Sequence, residues 1–425
     1  MRSLVSSKPP SLFSFPGFRN LLIGQLISQL GDTFRNAVLL WMVLDFTGNK
    51  GSVGLVATFE ALPFALLSLH SGALADRIDR RRILVGANIV AAVLTSVFIA
   101  ILVMHPRVPV AVICIFAFVM GSIMVYTIPA RSSAIPRLVP EDRLLEANGF
   151  NAAMQNLMPL IGSAISAIVL GALFALDRRL AYAMTFGFDA LTFIASAAFM
   201  LRLPAIPPIG NSESKDSWRE AFEGVRFIRG HKVLLLSVLL SVGCNFFAAP
   251  FYPAFVVLAK DRFHGGPNTL ALIETGFFLG MVIGAVVVMR MKIRRPGLAM
   301  GIAFIIVGLI CVPMAYVHSL AWFWVLNLVC GFFVPLGSTP IQTFIQLETP
   351  DELRGRVAAA SANLAVAINP VGAAMSSVLL ASLGMEGTIL YIAIGFAVPP
   401  LLALFSREFR NARMPVSNGN LVADT

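Results

Sequence analysis

Apolar stretches of about twenty residues recur twelve times along this chain, divided by short polar connections. They fall near 20–45, 52–75, 82–104, 108–130, 148–175, 180–202, 233–258, 269–290, 297–317, 320–345, 357–383 and 387–406. At 1.5 Å of rise per residue, each is long enough to cross a hydrocarbon core of about 30 Å as a helix. Lipid offers no partner to a bare backbone amide, so a spanning segment must close its own hydrogen bonds. The expected fold is therefore an all-α polytopic membrane protein with twelve transmembrane helices. Composition agrees: 57% of the residues are hydrophobic and 13% charged, about half the charge of a soluble domain. The first stretch carries Asp32 and Arg35 and lacks a small-residue cleavage pattern, which makes it an anchor and not a signal peptide.

The net charge of +10 invites a nucleic-acid reading, but its distribution argues against one. With the N-terminus placed in the cytoplasm, 25 of the 32 Lys and Arg residues fall on the cytoplasmic side, including Arg131, Arg137 and Arg143. Six fall outside (Lys50, Arg107, Arg178, Arg179, Lys260, Arg262), and Arg35 lies within the membrane. By the positive-inside rule both termini are expected in the cytoplasm. The basic charge reports topology.

Catalytic and metal-binding signatures are missing from the sequence. It has no Gly-x-x-x-x-Gly-Lys-Ser/Thr loop for ATP, no His-Glu-x-x-His and no Gly-x-Ser-x-Gly. Cys114, Cys244, Cys311 and Cys330 all fall inside expected spans and read as packing residues. The five histidines, His70 among them, lie mostly at span ends or in loops. Neither an enzyme, a metal site nor a cofactor is expected.

Three segments are expected: residues 1–203 with six spans, a linker over 204–232, and residues 233–425 with six more and a short tail. The linker opens rich in Pro, Ser and charge (Asn211 to Asp216), and then places Trp218, Phe222, Val225 and Ile228 at helical spacing. That pattern predicts an amphipathic helix on the cytoplasmic surface. Short internal matches relate the two halves. Pro140-Glu-Asp-Arg-Leu corresponds to Pro350-Asp-Glu-Leu-Arg, and Pro159-Leu-Ile-Gly162 to Pro370-Val-Gly372. Span eight carries Gly276, Gly280 and Gly284 four residues apart, a small face that admits a close helix.

The loop Gly72-Ala-Leu-Ala-Asp76-Arg77-Ile-Asp79-Arg80-Arg81-Arg82 resembles the loop between helices 2 and 3 of the major facilitator superfamily, with Asp79 where a second Gly is usual. Four further segments resemble the branch that includes enterobactin exporters and macrolide-efflux proteins. They are Gly24-Gln-Leu-Ile-Ser-Gln-Leu-Gly-Asp32, Pro129-Ala-Arg-Ser-Ser-Ala-Ile-Pro136, Phe188-Asp-Ala-Leu-Thr-Phe193 and Glu352-Leu-Arg-Gly-Arg-Val357. The antiporter signature Gly-Pro-x-x-Gly-Gly is only partly kept, as Met158-Pro159-Leu-Ile-Gly162-Ser163. The resemblance implies two pseudo-symmetric six-helix bundles, transport by alternating access and residence in a bacterial inner membrane. It also implies a conformational latch built from Gly72, Asp76, Arg77, Arg80 and Arg81.

Ionisable residues deep in spans mark ion or substrate paths, because a charge in lipid costs at least ~2.5 kcal/mol. Asp32, Arg35, Glu60 and Asp189 are the candidates for proton coupling; a fixed ion pair that sets helix register is the alternative for each. Glu274 and Glu348 lie nearer span ends and are expected to be solvated. Gln29, Asn36, Gln155, Asn245 and Gln342 are candidates for the cavity wall. Adaptable apolar walls with a few amides suit a bulky amphiphile better than a sugar. The expected function is a secondary transporter, a proton-coupled exporter of a drug-like or siderophore-like molecule. Its expected partners are that solute, protons and the bilayer; one chain suffices, so a monomer is expected. An importer or lipid-handling facilitator, or a transporter-derived receptor or assembly factor, are the alternatives.

Overall fold

The computed structural model describes residues 11–105, 107–208 and 217–414; the side chains of Leu69, Ala73, Asp76 and residues 217–221 lie outside this description. The first six crossings are α1 (Pro16–Thr47), α2 (Lys50–Arg77), α3 (Arg80–Met104), α4 (Val110–Ala134), α5 (Leu144–Leu176) and α6 (Arg178–Met200). A surface helix, α7 (Ser217–Gly230), follows. The remaining six crossings are α8 (Lys232–Ala248) with α9 (Phe251–Asp261), α10 (Pro267–Arg290), α11 (Pro296–Tyr316), α12 (Leu320–Glu348), α13 (Asp351–Ala367) with α14 (Asn369–Ser382), and α15 (Gly384–Leu404). A short α16 (Arg407–Asn411) closes the described chain, which contains no strand.

Eleven of these crossings are long and apolar enough to span a membrane, and α1 alone is not counted among them. Its Gln25, Gln29, Asp32, Arg35 and Asn36 lower its hydropathy, and neighbouring helices cover it instead of lipid: Gln25 and Arg35 are buried. The surface is inverted accordingly. Val103, Ile168 and Trp322 are exposed, while Arg35, Asp189 and Asn327 are buried, as expected where lipid is the solvent.

Two crossings expected to be continuous are broken. Pro250 interrupts the seventh between α8 and α9, and Pro370 opens α14 in the eleventh. Proline lacks the amide proton and clashes with the preceding turn, so the chain kinks where it falls. The counterpart Pro159 is carried inside a continuous α5.

The surface helix forms as the spacing predicts, but its inward face differs. Ile228 is buried and Phe222 is 66% exposed. Gly224 takes the close approach to α13, where an added Cβ would lie 2.5 Å from the Arg356 carbonyl oxygen. Arg356 Nη1 also donates to Glu223 Oε2 at 2.6 Å, which ties α7 to α13. The charged segment 211–216 lies outside the described residues.

Contacts define two ends. At one, here the linker end, Arg80 Nη1 donates to the Pro207 carbonyl at 2.6 Å and Arg81 Nη2 to the Leu201 carbonyl at 2.5 Å. At the other, here the loop end, α9 is fastened to α1 and α2. Lys50 Nζ lies 2.6 Å from Asp261 Oδ2. Lys260 Nζ donates to the Leu44 carbonyl at 3.1 Å, at the C-terminus of α1 where a cation is favoured, and sits 3.6 Å from Asp45 Oδ1. Gly54 of α2 packs against Ser376 and Ser377 of α14. The loop end is thus stitched between the first and last six crossings. In a background with the four native cysteines replaced by serine, Lys50→Cys and Asp261→Cys are expected to join through a short bifunctional thiol reagent. The transport expected from the sequence should then fall to background; full transport after complete cross-linking would mean that this end never opens.

Candidate functional site

The site starts from two glycines of α1. A Cβ on Gly31 would press on Thr192 and lie 2.7 Å from Asp189 Oδ1, and one on Gly24 would lie 3.3 Å from the Ser196 carbonyl oxygen. Their bare backbones let α6 settle close enough to bring Asp189 beside Arg35. On the next helix, Gly162 of α5 approaches Thr33, where a Cβ would lie 2.7 Å from Oγ1. The partly kept antiporter signature therefore marks the α5–α1 crossing, one residue from Asp32.

Arg35 Nη1 makes ion pairs with Asp32 Oδ1 at 2.6 Å and Asp189 Oδ2 at 3.2 Å. Its Nη2 donates to Asn36 Oδ1 at 3.2 Å, and the guanidinium carbon lies 6.0 Å from the Phe193 ring centroid. Glu60 of α2 is in electrostatic range of both Arg35 and Asp32. The four charged candidates thus form one cluster. Asp189 is fully buried, with no hydrogen-bond partner on Oδ1, whereas the Asp32 side chain is 29% exposed.

This cluster stands where two of the three lobes of a central cavity meet. A lobe of about 260 Å³ lies among α1, α3, α4, α5 and α6, and includes Gln29, Asp32, Arg35 and Gln155. A middle lobe of about 440 Å³ runs between the two sets of crossings, with Arg35 and Glu60 facing Asn245 and Tyr252. A third of about 480 Å³ lies among α8–α13 and α15, and includes Asn245 and Gln342. Arg35, Met120 and Met124 belong to both the first and middle lobes; Asn245 and Ala248 belong to both the middle and third. Toward the linker end, Gln155, Gln342 and Gln346 are exposed, so the cavity opens there.

The remaining candidates fall in different places. Asn36 lines none of these lobes and holds Arg35 instead. Glu274 departs from the expectation of solvation: it lies half-buried inside α10, facing the Tyr252 hydroxyl. Tyr252 belongs to α9, a neighbour that span counting could not foresee. Glu348, by contrast, is exposed. His70 is exposed, its Nδ1 2.8 Å from the Tyr126 hydroxyl. Gly72 has open space around its Cβ position and Arg77 is exposed. The Asp76 side chain lies outside the described residues.

Two residues gain roles that the sequence reading did not give them. Arg131, counted as a cytoplasmic topology residue, belongs to the cavity wall on α4 and is in electrostatic range of Asp32. Asp79 is the N-cap of α3; its Oδ1 accepts from the Arg81 amide at 2.8 Å and the Ile206 amide at 3.3 Å. An Asp directly before a helix was the available signal for the cap. The 129–136 segment that carries a family resemblance contains Arg131, but nothing in it tells which way that side chain faces.

Membrane-crossing helices, two sets of six around a cavity, and ionisable groups at its centre define a multi-pass membrane transporter, not an enzyme. The sequence comparisons place it within that class. A family model described as the Major Facilitator Superfamily matches residues 21–373 and 251–418. The chain belongs to the major facilitator superfamily. It is 24% identical over 382 residues to macrolide efflux protein A of Streptococcus pyogenes, covering 87% of this chain and 90% of that one. It is 26% identical over 396 residues to multidrug efflux pump Tap of Mycobacterium tuberculosis, covering 90% and 92%. Among solved structures, a bacterial homologue of the human lysosomal transporter Spinster, inward-facing and unoccupied, matches with a TM-score of 0.68 at 13% identity, covering 95% and 97%. A POT family transporter in complex with a thioalcohol-conjugated peptide matches with a TM-score of 0.64 at 16% identity, covering 92% and 95%.

Proposed function

We propose that this chain is a proton-coupled exporter of bulky amphiphilic molecules, macrolides among them, acting as a monomer in the bacterial cytoplasmic membrane. The observation that carries the reading is the placement of Arg35 between Asp32 and Asp189, with Glu60 in range, at the junction of the first and middle lobes. With Arg131 included, three carboxylates meet two guanidinium groups. The fully ionised cluster therefore holds one excess negative charge in a medium where charge is costly. A proton neutralises it, and so does a cationic solute. Competition between the two for one cluster is the physical basis of exchange. The names of the relatives support the substrate class.

The basic excess supports a cytoplasmic linker end, and with that orientation the cavity faces inward in this conformation. Alternating access then moves the 1–203 half against the 233–425 half, with 204–232 joining them. Gly72, Asp76, Arg77, Arg80 and Arg81 form the latch that closes the linker end in the outward-facing state. Charge-assisted contacts present in one state only are suited to that role. In the inward-facing state Arg80 and Arg81 hold the segment after α6 instead.

Everted vesicles with an acid interior test the proposal. Wild type is expected to accumulate a macrolide only while the gradient lasts, and Asp32→Asn to fall to background. Gradient-dependent uptake by Asp32→Asn equal to wild type would reduce Asp32 to a structural residue. Uptake indifferent to the gradient would remove proton coupling.

A further inference from the structure

The cavity wall is chemically lopsided. Its charged residues, Asp32, Arg35, Glu60 and Arg131, all come from the first six crossings. The third lobe, built by the last six, has no Asp, Glu, Lys, Arg or His among its lining residues and carries four phenylalanines: Phe251, Phe277, Phe304 and Phe396.

A second asymmetry lies in unmade hydrogen bonds. Gln25 Nε2 and Oε1, Gln29 Oε1, Asn151 Oδ1 and Ser196 Oγ are buried polar atoms without a protein partner. All four residues line the first lobe. Gln25 is 3% exposed and Ser196 fully buried. Leaving such a group unpaired is costly, so packing alone would favour apolar residues at these positions. The third lobe holds one comparable atom, Ser361 Oγ.

We infer that the first lobe is a hydrogen-bonding subsite for a hydroxyl-rich, sugar-like portion of the solute, whose apolar portion lies against the aromatic third lobe. This rests on the export reading above and adds an orientation to it. Gln25 supplies one donor edge and one acceptor, Gln29 and Asn151 supply acceptors, and Ser196 supplies a hydroxyl that can do either. Neighbouring hydroxyls, each both donor and acceptor, satisfy such a mixed set; an apolar cation without hydrogen-bonding groups satisfies none of it. A site built to hydrogen-bond its ligand rejects the analogue lacking those groups, because its own atoms are then left unpaired.

The test measures equilibrium binding of two probes to the purified full chain in nanodiscs. Erythromycin, a macrolide bearing sugars, is one; tetraphenylphosphonium, which has no hydrogen-bonding group, is the other. Gln25→Leu and Asn151→Leu are expected to weaken erythromycin binding about ten-fold each and to leave tetraphenylphosphonium unchanged. Phe304→Ala is expected to weaken both probes. Because Gln25→Leu removes two buried orphan atoms, its unfolding temperature should equal or exceed that of wild type. Erythromycin binding unchanged in both leucine variants overturns the subsite while export stands. Equal loss of both probes in those variants also overturns it, since Gln25 and Asn151 would then only shape the fold. Folded wild type that binds neither probe overturns the export reading and the subsite together.

Discussion

Arg35→Gln is expected to destabilise the protein by about 3–5 kcal/mol, the cost of breaking a buried ion pair from one side. Asp189 is fully buried, its Oδ2 is held by Arg35 at 3.2 Å, and its Oδ1 has no hydrogen-bond partner. Removing the guanidinium therefore leaves a fully buried carboxylate without the charge that compensates it. The double variant Arg35→Gln with Asp189→Asn should recover much of the loss, because two neutral amides can hydrogen-bond to each other. Thermal unfolding of the four proteins in one detergent measures this as a double-mutant cycle. A single variant that melts with wild type would mean that Arg35 does not hold Asp189. Transport separates the two roles of the cluster: the double variant should be folded and inactive, since it restores the packing and not the titratable charge.

Gly280→Leu is expected to prevent accumulation of folded protein. Gly276, Gly280 and Gly284 of α10 run along α12, and Gly331 of α12 returns the contact against Phe277. A Cβ on Gly280 would press on the Leu328 carbonyl oxygen and lie 2.8 Å from the Phe332 amide nitrogen. These are backbone atoms of a packed helix, so no side chain can swing aside. Overpacking of this kind costs about 1–3 kcal/mol or more, and even Gly280→Ala should lower the unfolding temperature. Gly86→Ala in α3 is the control: its Cβ position has no neighbour within 4 Å. That change should raise stability by up to about 1 kcal/mol through helix propensity. Equal melting of the two alanine variants would mean that the stripe is not a packing contact.

Much of the fold was legible because lipid imposes a simple rule on sequence. All twelve crossings could be recognised from apolar length, α1 among them despite its polar residues, and the glycine stripe at 276, 280 and 284 from its spacing alone. Span eight also shows the limit of counting: Glu274 looked near an end, yet it faces Tyr252 of α9. The breaks at Pro250 and Pro370 were also missed. A proline inside an apolar run either breaks the helix or is carried within it, as Pro159 is, and the surrounding packing decides which. Asp32, Arg35, Glu60 and Asp189 could each be singled out, since an ionisable residue in a span is conspicuous. Their assembly into one cluster, with Asn36 holding Arg35, could not be read.

What the sequence determined by itself was the class: apolar length set the crossings, and the resemblance of the 72–82 loop pointed to the superfamily. Both are local properties of consecutive residues, fixed before any helix meets another. Tertiary structure alone decided that Asp189 sits against Arg35 across 154 positions. It also turned Arg131 into the cavity and gathered the unpaired amides of Gln25, Gln29 and Asn151 in one lobe. Those facts depend on which face of each helix turns inward. In lipid that choice follows from close packing at glycines such as Gly24, Gly31 and Gly162 and from pairing between distant polar groups. Neither leaves a periodic trace along the chain.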